Sequence, residues 1–73
     1  MQTIRVPIHT EYIKMDSLLK FAGVADTGGM AKEIIEQGEV FLNGETVTQR
    51  GKKVHPGETV QVGLDVLIEV VAG

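Results

Sequence analysis

The sequence predicts an α+β domain in which two short helices pack on one side of a small, mainly antiparallel sheet of four to five strands. A strand pattern opens the chain, two helical patterns follow it directly, and the rest alternates apolar residues between turn signals. Helices grouped together and strands grouped together are typical of the α+β class. With 73 residues, we expect a single domain spanning residues 1–73.

The first strand and the first helix are predicted from apolar spacing. Alternation of Ile4, Val6 and Ile8 indicates a half-buried strand, and Pro7 favours a sheet edge because it lacks a backbone N–H. Apolar residues at i, i+3, i+4 and i+7 define one face of the first helix: Met15, Leu18, Leu19 and Ala22. We expect Asp16 to cap this helix and Gly23 to follow its end.

The second helix is predicted to follow Asp26-Thr27-Gly28-Gly29, with Thr27 or Asp26 able to cap its N-terminus, and to end at Gly38. Its expected buried face consists of Ala31, Ile34 and Ile35. Its expected outer face consists of Lys32, Glu33, Glu36 and Gln37.

A hairpin is predicted around Asn43 and Gly44, because Asn-Gly between strand-like runs favours a type I′ turn. In that register one face holds Val40, Leu42 and Val47, which we expect in the core. Phe41 lies on the other face, where we expect the N-terminal or C-terminal strand to cover it, with base stacking as the alternative. Further on, Val54 re-enters the core, Pro56 and Gly57 turn, and two alternating strands are expected over residues 60–62 and 66–70.

Composition excludes several functions. The chain has no cysteine, which excludes disulfides and thiol chemistry, and no apolar run approaches the roughly 20 residues needed to span a bilayer. We therefore expect a soluble, cytoplasmic protein. The net charge is −3, yet Arg50, Lys52 and Lys53 surround Gly51 in a stretch without acids. Residues 50–53 are called the basic segment below, and we expect them to be an exposed, mobile connection.

An enzyme is not indicated. The candidates for catalysis or metal binding are few: Ser17, Tyr12 and two separated histidines, His9 and His55. Glu33 and Glu36 lie one helical turn apart, but on a face that we expect to be solvated, so they do not indicate an acid–base pair. Two lone histidines do not make a metal site without a third ligand. We expect no catalytic residue, no metal and no cofactor.

Phosphate binding is indicated at the start of the second helix. Gly28 and Gly29 leave backbone N–H groups open to an anion, which the helix dipole also favours. Lys32 in the first turn opposes that dipole, so a bound phosphate would explain its position. The alternatives are that the glycines only make a tight turn and that Lys32 pairs with Glu36.

Further cations lie just before the first helix, late within it, and in the basic segment. Lys14 and Lys20 are exposed candidates, although Lys20 also suits the helix dipole. Arg50 can grip phosphate in a bidentate manner. The alternative is that the basic segment is a charged edge that prevents aggregation.

These residues together resemble the S-four RNA-binding domain, named after a ribosomal small-subunit protein and built on the α-L motif of two short helices and a hairpin. The likeness runs from Lys14 to Val62. It is carried by Lys14-Met15-Asp16 with Leu19 and Gly23, by Thr27, Ala31-Lys32 and Ile34-Ile35, and by Gly38-Glu39-Val40-Phe41-Leu42-Asn43-Gly44. Gly28-Gly29 and the basic segment resemble a bacterial subgroup consisting of this domain alone.

The resemblance implies binding of structured RNA, ribosomal or transfer RNA, read by shape through phosphates and 2′-hydroxyls. The implied RNA-binding set is Lys14, Lys20, Gly28, Gly29, Lys32, Asn43, Arg50, Lys52 and Lys53. In two places the chain departs from the pattern. Gly28 and Phe21 stand where relatives often carry arginine, which shifts the expected burden to Lys32 and the basic segment.

Two other functions stay open at this stage. A ubiquitin-like sulfur carrier would use the C-terminal Gly73, although Ala72 stands where such carriers need glycine. A protein-interaction module would use the acidic C-terminal strands, which is compatible with RNA binding. We expect a monomer.

Overall fold

The computed structural model describes residues 1–73 and contains two helices and seven strands. The helices are α1 (Met15–Phe21) and α2 (Gly28–Glu36). The strands are β1 (Gln2–Ile8), β2 (Ile13–Lys14), β3 (Val40–Leu42), β4 (Glu45–Thr46), β5 (Lys53–Val54), β6 (Thr59–Val62) and β7 (Val66–Ala72). The predicted α+β class is confirmed.

Five of the strands form the main sheet in the order β1-β7-β6-β3-β4. All neighbours are antiparallel except β1 and β7, which run parallel from Gln2 opposite Val66 to Ile8 opposite Ala72. β1 lies at the sheet edge, where Pro7 is tolerated although it has no backbone N–H to donate.

The core lies on one face of this sheet. Every one of the 16 buried residues is apolar, and they form one cluster with contributions from both helices and the sheet. Met15, Leu18 and Leu19 from α1 and Ala31 and Ile35 from α2 are fully buried. The predicted inward faces of both helices are therefore confirmed, with Ala22 and Ile34 half-buried at their margins.

The helix ends follow the predictions with one correction. Thr27 caps α2, since its Oγ1 accepts from the Met30 amide at 3.1 Å. Gly23 and Gly38 adopt φ of +77° and +78° just past the helix ends. Asp16, however, is not the cap of α1: the helix begins one residue before it, with Lys14 as N-cap, and the Asp16 carboxylate accepts only from the Ser17 amide at 2.8 Å.

The Asn43–Gly44 hairpin is confirmed by positive φ at both residues, 50° and 90°. Strand pairing sets Leu42 opposite Glu45 and Phe41 opposite Thr46. Phe41 is only half-buried, because β1 and β7 lie in the same sheet as β3 and so do not cover it. The expectation that a terminal strand covers Phe41 is wrong.

Candidate nucleic-acid interface

The basic segment is docked on the start of α1. The Met15 amide donates to the Lys52 carbonyl at 2.8 Å, and the Asp16 amide donates to the Arg50 carbonyl at 3.0 Å. The first N–H groups of a helix have no partner within it, and α1 has no side-chain cap, so these two carbonyls supply the missing acceptors. The side chains of the segment are exposed as predicted, but its backbone is anchored rather than mobile.

A second connection comes from the two-stranded ribbon of β2 and β5, which pairs Ile13 with Val54 and Lys14 with Lys53. Because Val54 is fully buried, the ribbon is tied to the core. Lys14 and Lys53 therefore lie directly opposite each other. Like charges in this arrangement are destabilising on their own.

The Lys53 ammonium is also held by an aromatic ring. Its Nζ lies 4.8 Å from the centre of the Tyr12 ring, within cation–π range. The Tyr12 and His55 rings are tilted against each other with centroids 6.1 Å apart. Sequence reasoning missed this cluster, because Tyr12 and Lys53 are distant in the chain and only the β2–β5 pairing brings them together.

The predicted RNA-binding cations have no carboxylate partner. The structure contains one ion pair, Arg5 with Glu69 at 3.6 Å, and one close imidazole–carboxylate contact, His55 Nδ1 with Glu58 Oε1 at 3.2 Å. Neither involves a cation of the predicted set: Lys14, Lys20, Lys32, Arg50, Lys52 or Lys53. The pairing of Lys32 with Glu36, weighed as an alternative, does not form. All six side chains are exposed.

The glycines that open α2 are not required by the fold. Gly28 and Gly29 have ordinary helical φ, a Cβ on Gly28 would meet nothing within 4 Å, and one on Gly29 would meet only Thr27 Oγ1 at 3.9 Å. Their amides donate to no acceptor in the protein. The explanation that glycine is needed for a tight turn therefore fails, and two unpartnered N–H groups remain at the positive end of the helix.

Both polar atoms of the Asn43 side chain are hydrogen-bonded within the protein. Its Nδ2 donates to Glu58 Oε2 at 3.0 Å, and its Oδ1 accepts from the Thr59 amide at 3.2 Å. Glu58 also accepts from the backbone amide of His55 at 2.6 Å. That bond is the main reason why the pKa of Glu58 lies below its ordinary value, although partial burial opposes the shift.

An open polar cleft of about 340 Å³ connects Asn43 with the basic segment. Its walls are the β3–β4 hairpin and the stretch leading to Lys52, and they carry the side chains of Thr46, Thr48 and Gln49. These hydroxyl and amide groups have no hydrogen-bond partner in the protein. The cleft therefore offers donors and acceptors beside the exposed Lys52, and the Glu45 carboxylate also lines it.

The predicted set falls into two groups. Lys14, Arg50, Lys52 and Lys53 meet at the start of α1, with Asn43 across the cleft from Lys52. Lys20 at the end of α1, and Gly28, Gly29 and Lys32 at the start of α2, are joined to this group by no hydrogen bond or strand pairing. No three His, Asp or Glu side chains lie close enough to hold a metal ion. No helix combines the length and apolar character needed to cross a membrane.

The C-terminal residues belong to the sheet. Ala72 pairs with Ile8 in β1, and the Gly73 amide donates to the Ile8 carbonyl at 2.8 Å. A Cβ added to Gly73 would lie 3.1 Å from Pro7 and 3.2 Å from His9, so little room is left around this residue. This is not the free tail that a sulfur carrier needs for activation.

Two short helices on a mainly antiparallel sheet, with unpaired cations around the start of the first helix, define an RNA-binding domain of the class that the sequence resembles. A family model described as S4 domain matches residues 6–71, which is most of the chain. The protein belongs to the S4 domain family. It is 39% identical over 57 residues to the "Probable ribosome maturation protein RlbA" of Bacillus subtilis (strain 168), and the match covers 78% of this chain and 80% of that relative. The two proteins are thus of similar length, and the aligned region covers most of each.

Proposed function

We propose that this protein acts in ribosome maturation by binding structured RNA, ribosomal RNA in the first place, without catalysing a reaction. Family membership supports the RNA-binding class, and the printed name of the Bacillus relative supports the process. A role of this kind is carried out in the cytoplasm. A protein partner at the acidic C-terminal strands is compatible with it.

The observation that carries this proposal is the gathering of Lys14, Arg50, Lys52 and Lys53 without one carboxylate partner. The protein has ten acidic and seven basic residues, so unpaired cations in one place are not a consequence of composition. Holding Lys14 opposite Lys53 costs free energy in the free protein. A phosphate bound between or beside the two ammonium groups would attract both of them, so that their placement favours binding instead of costing free energy.

The anchored backbone of the basic segment makes the site preorganised. Because the Arg50 and Lys52 carbonyls are bonded to α1, little backbone freedom is lost when the side chains meet phosphate. Arg50 can form two parallel hydrogen bonds to one phosphate, whereas the lysines act as point charges. Such a surface reads the A-form backbone by shape. Lys20, Lys32 and the free amides of α2 would extend it to neighbouring phosphates.

The proposal is tested by the salt dependence of binding to purified bacterial ribosomal RNA, with transfer RNA as a second ligand. Each phosphate contact contributes roughly 0.7 to the slope of log K against log salt for single strands, and somewhat more for duplexes. Replacing Arg50, Lys52 and Lys53 by Ala should flatten the slope by about two units or more. The backbone carbonyls that hold α1 remain in this variant.

Arg5→Ala is the matched control, since Arg5 is paired with Glu69. Arg5 lies in β1, at the edge of the sheet opposite to β4. The slope of this variant should equal that of the parent protein. Equal slopes for the parent and the triple variant would exclude the basic segment from the interface. Absence of salt-dependent binding to either RNA would refute the proposed function as a whole.

A further inference from the structure

Glu45 is an acid that lines the same cleft as a cation of the RNA-binding set. It lies in β4, directly after the Asn43–Gly44 turn, and is exposed. Its carboxylate forms no ion pair and accepts no side-chain hydrogen bond. A carboxylate beside a phosphate site repels the RNA backbone, so it lowers affinity unless it binds another part of the RNA.

Strand pairing turns Glu45 toward the cleft. Glu45 lies opposite Leu42, so the two side chains share one face of the sheet, and Val47 lies two residues further along that face. Both apolar neighbours are buried and line the cleft together with Glu45. Lys52 lines the same cleft, and its carbonyl holds the Met15 amide, which fixes the backbone there. No ion pair joins Glu45 and Lys52.

Unpaired donors complete the lining of the cleft. Thr48 and Gln49 are exposed, line the cleft, and have backbone amides that donate to no acceptor in the protein. The Gln49 carbonyl accepts from the Lys52 amide at 3.1 Å, which closes a turn. The volume of about 340 Å³ is at the low end of small-molecule sites and suits one nucleotide rather than an extended chain.

The two charges in the cleft are complementary to one kind of nucleotide. An ionised carboxylate only accepts hydrogen bonds, and it has two oxygens with which to do so. Guanine carries two adjacent donors, N1–H and N2–H₂, on its Watson–Crick edge, whereas in the other three RNA bases a donor on that edge lies next to an acceptor. Unpaired bases in RNA are commonly recognised on this edge. The phosphate of the same nucleotide is attracted by an ammonium group.

We propose that the cleft binds one unpaired guanosine of the RNA, with N1–H and N2–H₂ donating to Glu45 and a phosphate near Lys52. The inference rests on the proposed function and names the base that the site selects. The guanine must lie in a loop or bulge, because pairing with cytosine occupies both donors. A free guanine nucleotide offers the same groups, but Lys14, Arg50 and Lys53 favour a polymer with several phosphates.

The test is chemical footprinting with kethoxal, using purified bacterial ribosomal RNA as the probe. Kethoxal reacts with N1 and N2 of unpaired guanine, the two groups that Glu45 covers in a bound complex. The parent protein should protect at least one such guanine. Glu45→Gln has nearly the same size but replaces one acceptor by a donor, so it should lose this protection. It should keep salt-dependent binding, because it removes an anion and no cation.

Affinity for short RNA hairpins that carry the protected segment gives a second readout. Replacing the protected guanine by adenine should weaken binding to the parent protein by roughly 5-fold to 100-fold. Glu45→Gln should bind the two hairpins equally. Glu39→Gln is the matched control, since Glu39 is exposed, forms no ion pair and does not line the cleft. It removes the same charge and should retain both the protection and the preference.

Three results would overturn the guanine site and leave RNA binding intact. The first is salt-dependent binding of the parent protein without a protected guanine. The second is the same guanine preference in the parent and Glu45→Gln, which would make Glu45 a solvated acid. The third is displacement of the RNA by micromolar guanosine monophosphate, which would assign the cleft to a free nucleotide. Absence of RNA binding by the parent protein would overturn both the guanine site and the proposed function.

Discussion

Glu58 is expected to be the most important surface carboxylate for stability, because it joins two turns that are distant in sequence. It accepts from Asn43 Nδ2 at 3.0 Å in the type I′ turn and from the His55 amide at 2.6 Å in the turn before β6. His55 Nδ1 lies 3.2 Å from the same oxygen as the amide. Only 29% of the side chain is exposed, so water replaces these bonds incompletely.

Glu58→Gln keeps the shape of the side chain but replaces one carboxylate oxygen by an NH₂ group. Either Asn43 Nδ2 or the His55 amide then meets a donor instead of an acceptor. Hydrogen bonds to charged groups contribute about 1.5–3 kcal/mol each when well shielded. With partial exposure, we expect a loss of about 1–2 kcal/mol. For a domain of this size that corresponds to a fall in Tm of roughly 4–8 °C per kcal/mol.

The difference should also depend on pH. Since the pKa of Glu58 is lower in the folded protein than in the unfolded chain, the folded state binds fewer protons, and the contribution is complete above the unfolded value. It is lost as pH falls through the lowered folded value. The stability difference between the parent protein and Glu58→Gln should therefore begin to shrink as pH falls below about 4, near the ordinary glutamate pKa, and disappear only below the lowered folded pKa.

Urea unfolding followed by far-ultraviolet circular dichroism at pH 7 and pH 3 measures this difference, with Glu45→Gln as control. Glu45 lies in the β3–β4 hairpin next to the turn that contains Asn43, is exposed and forms no ion pair, so its substitution changes the charge by the same amount without removing a hydrogen bond. The reasoning is refuted if both variants unfold at the same urea concentration, or if the effect of Glu58→Gln is undiminished at pH 3.

Two predictions concern α2 and its flanks. Thr27→Ala removes the acceptor for the Met30 amide and should cost about 1 kcal/mol in urea unfolding, whereas Thr27→Ser should cost little; equal losses would contradict the capping role. Gly23→Ala should destabilise by about 1–2 kcal/mol because φ is +77°, while Gly28→Ala, with ordinary φ and open space, should be neutral or stabilising by a few tenths of a kcal/mol. If Gly28→Ala nevertheless weakens binding to ribosomal RNA, close approach of phosphate to the α2 amides is supported; unchanged affinity would argue against it.

The elements with local signals were predictable from the sequence. The ends of α2 are signalled by Thr27 and Gly38, and the turn of the β3–β4 hairpin is signalled by Asn43 and Gly44. Capping groups and the sign of φ act within a few residues, so a local pattern is enough to predict them. The prediction that Asp16 caps α1 was wrong. The first amides of α1 donate to carbonyls more than 30 residues away, and no local pattern signals such a partner.

By itself the sequence determined the fold class, the inward faces of both helices and the hairpin register, since each depends on the periodicity of apolar side chains and on turn residues. Only the tertiary structure decided that β1 runs parallel to β7, that Lys14 lies opposite Lys53, and that Phe21 remains in solvent. These features depend on which distant segments meet, and many pairings of short strands satisfy the same apolar pattern. Packing of the whole core selects one of them.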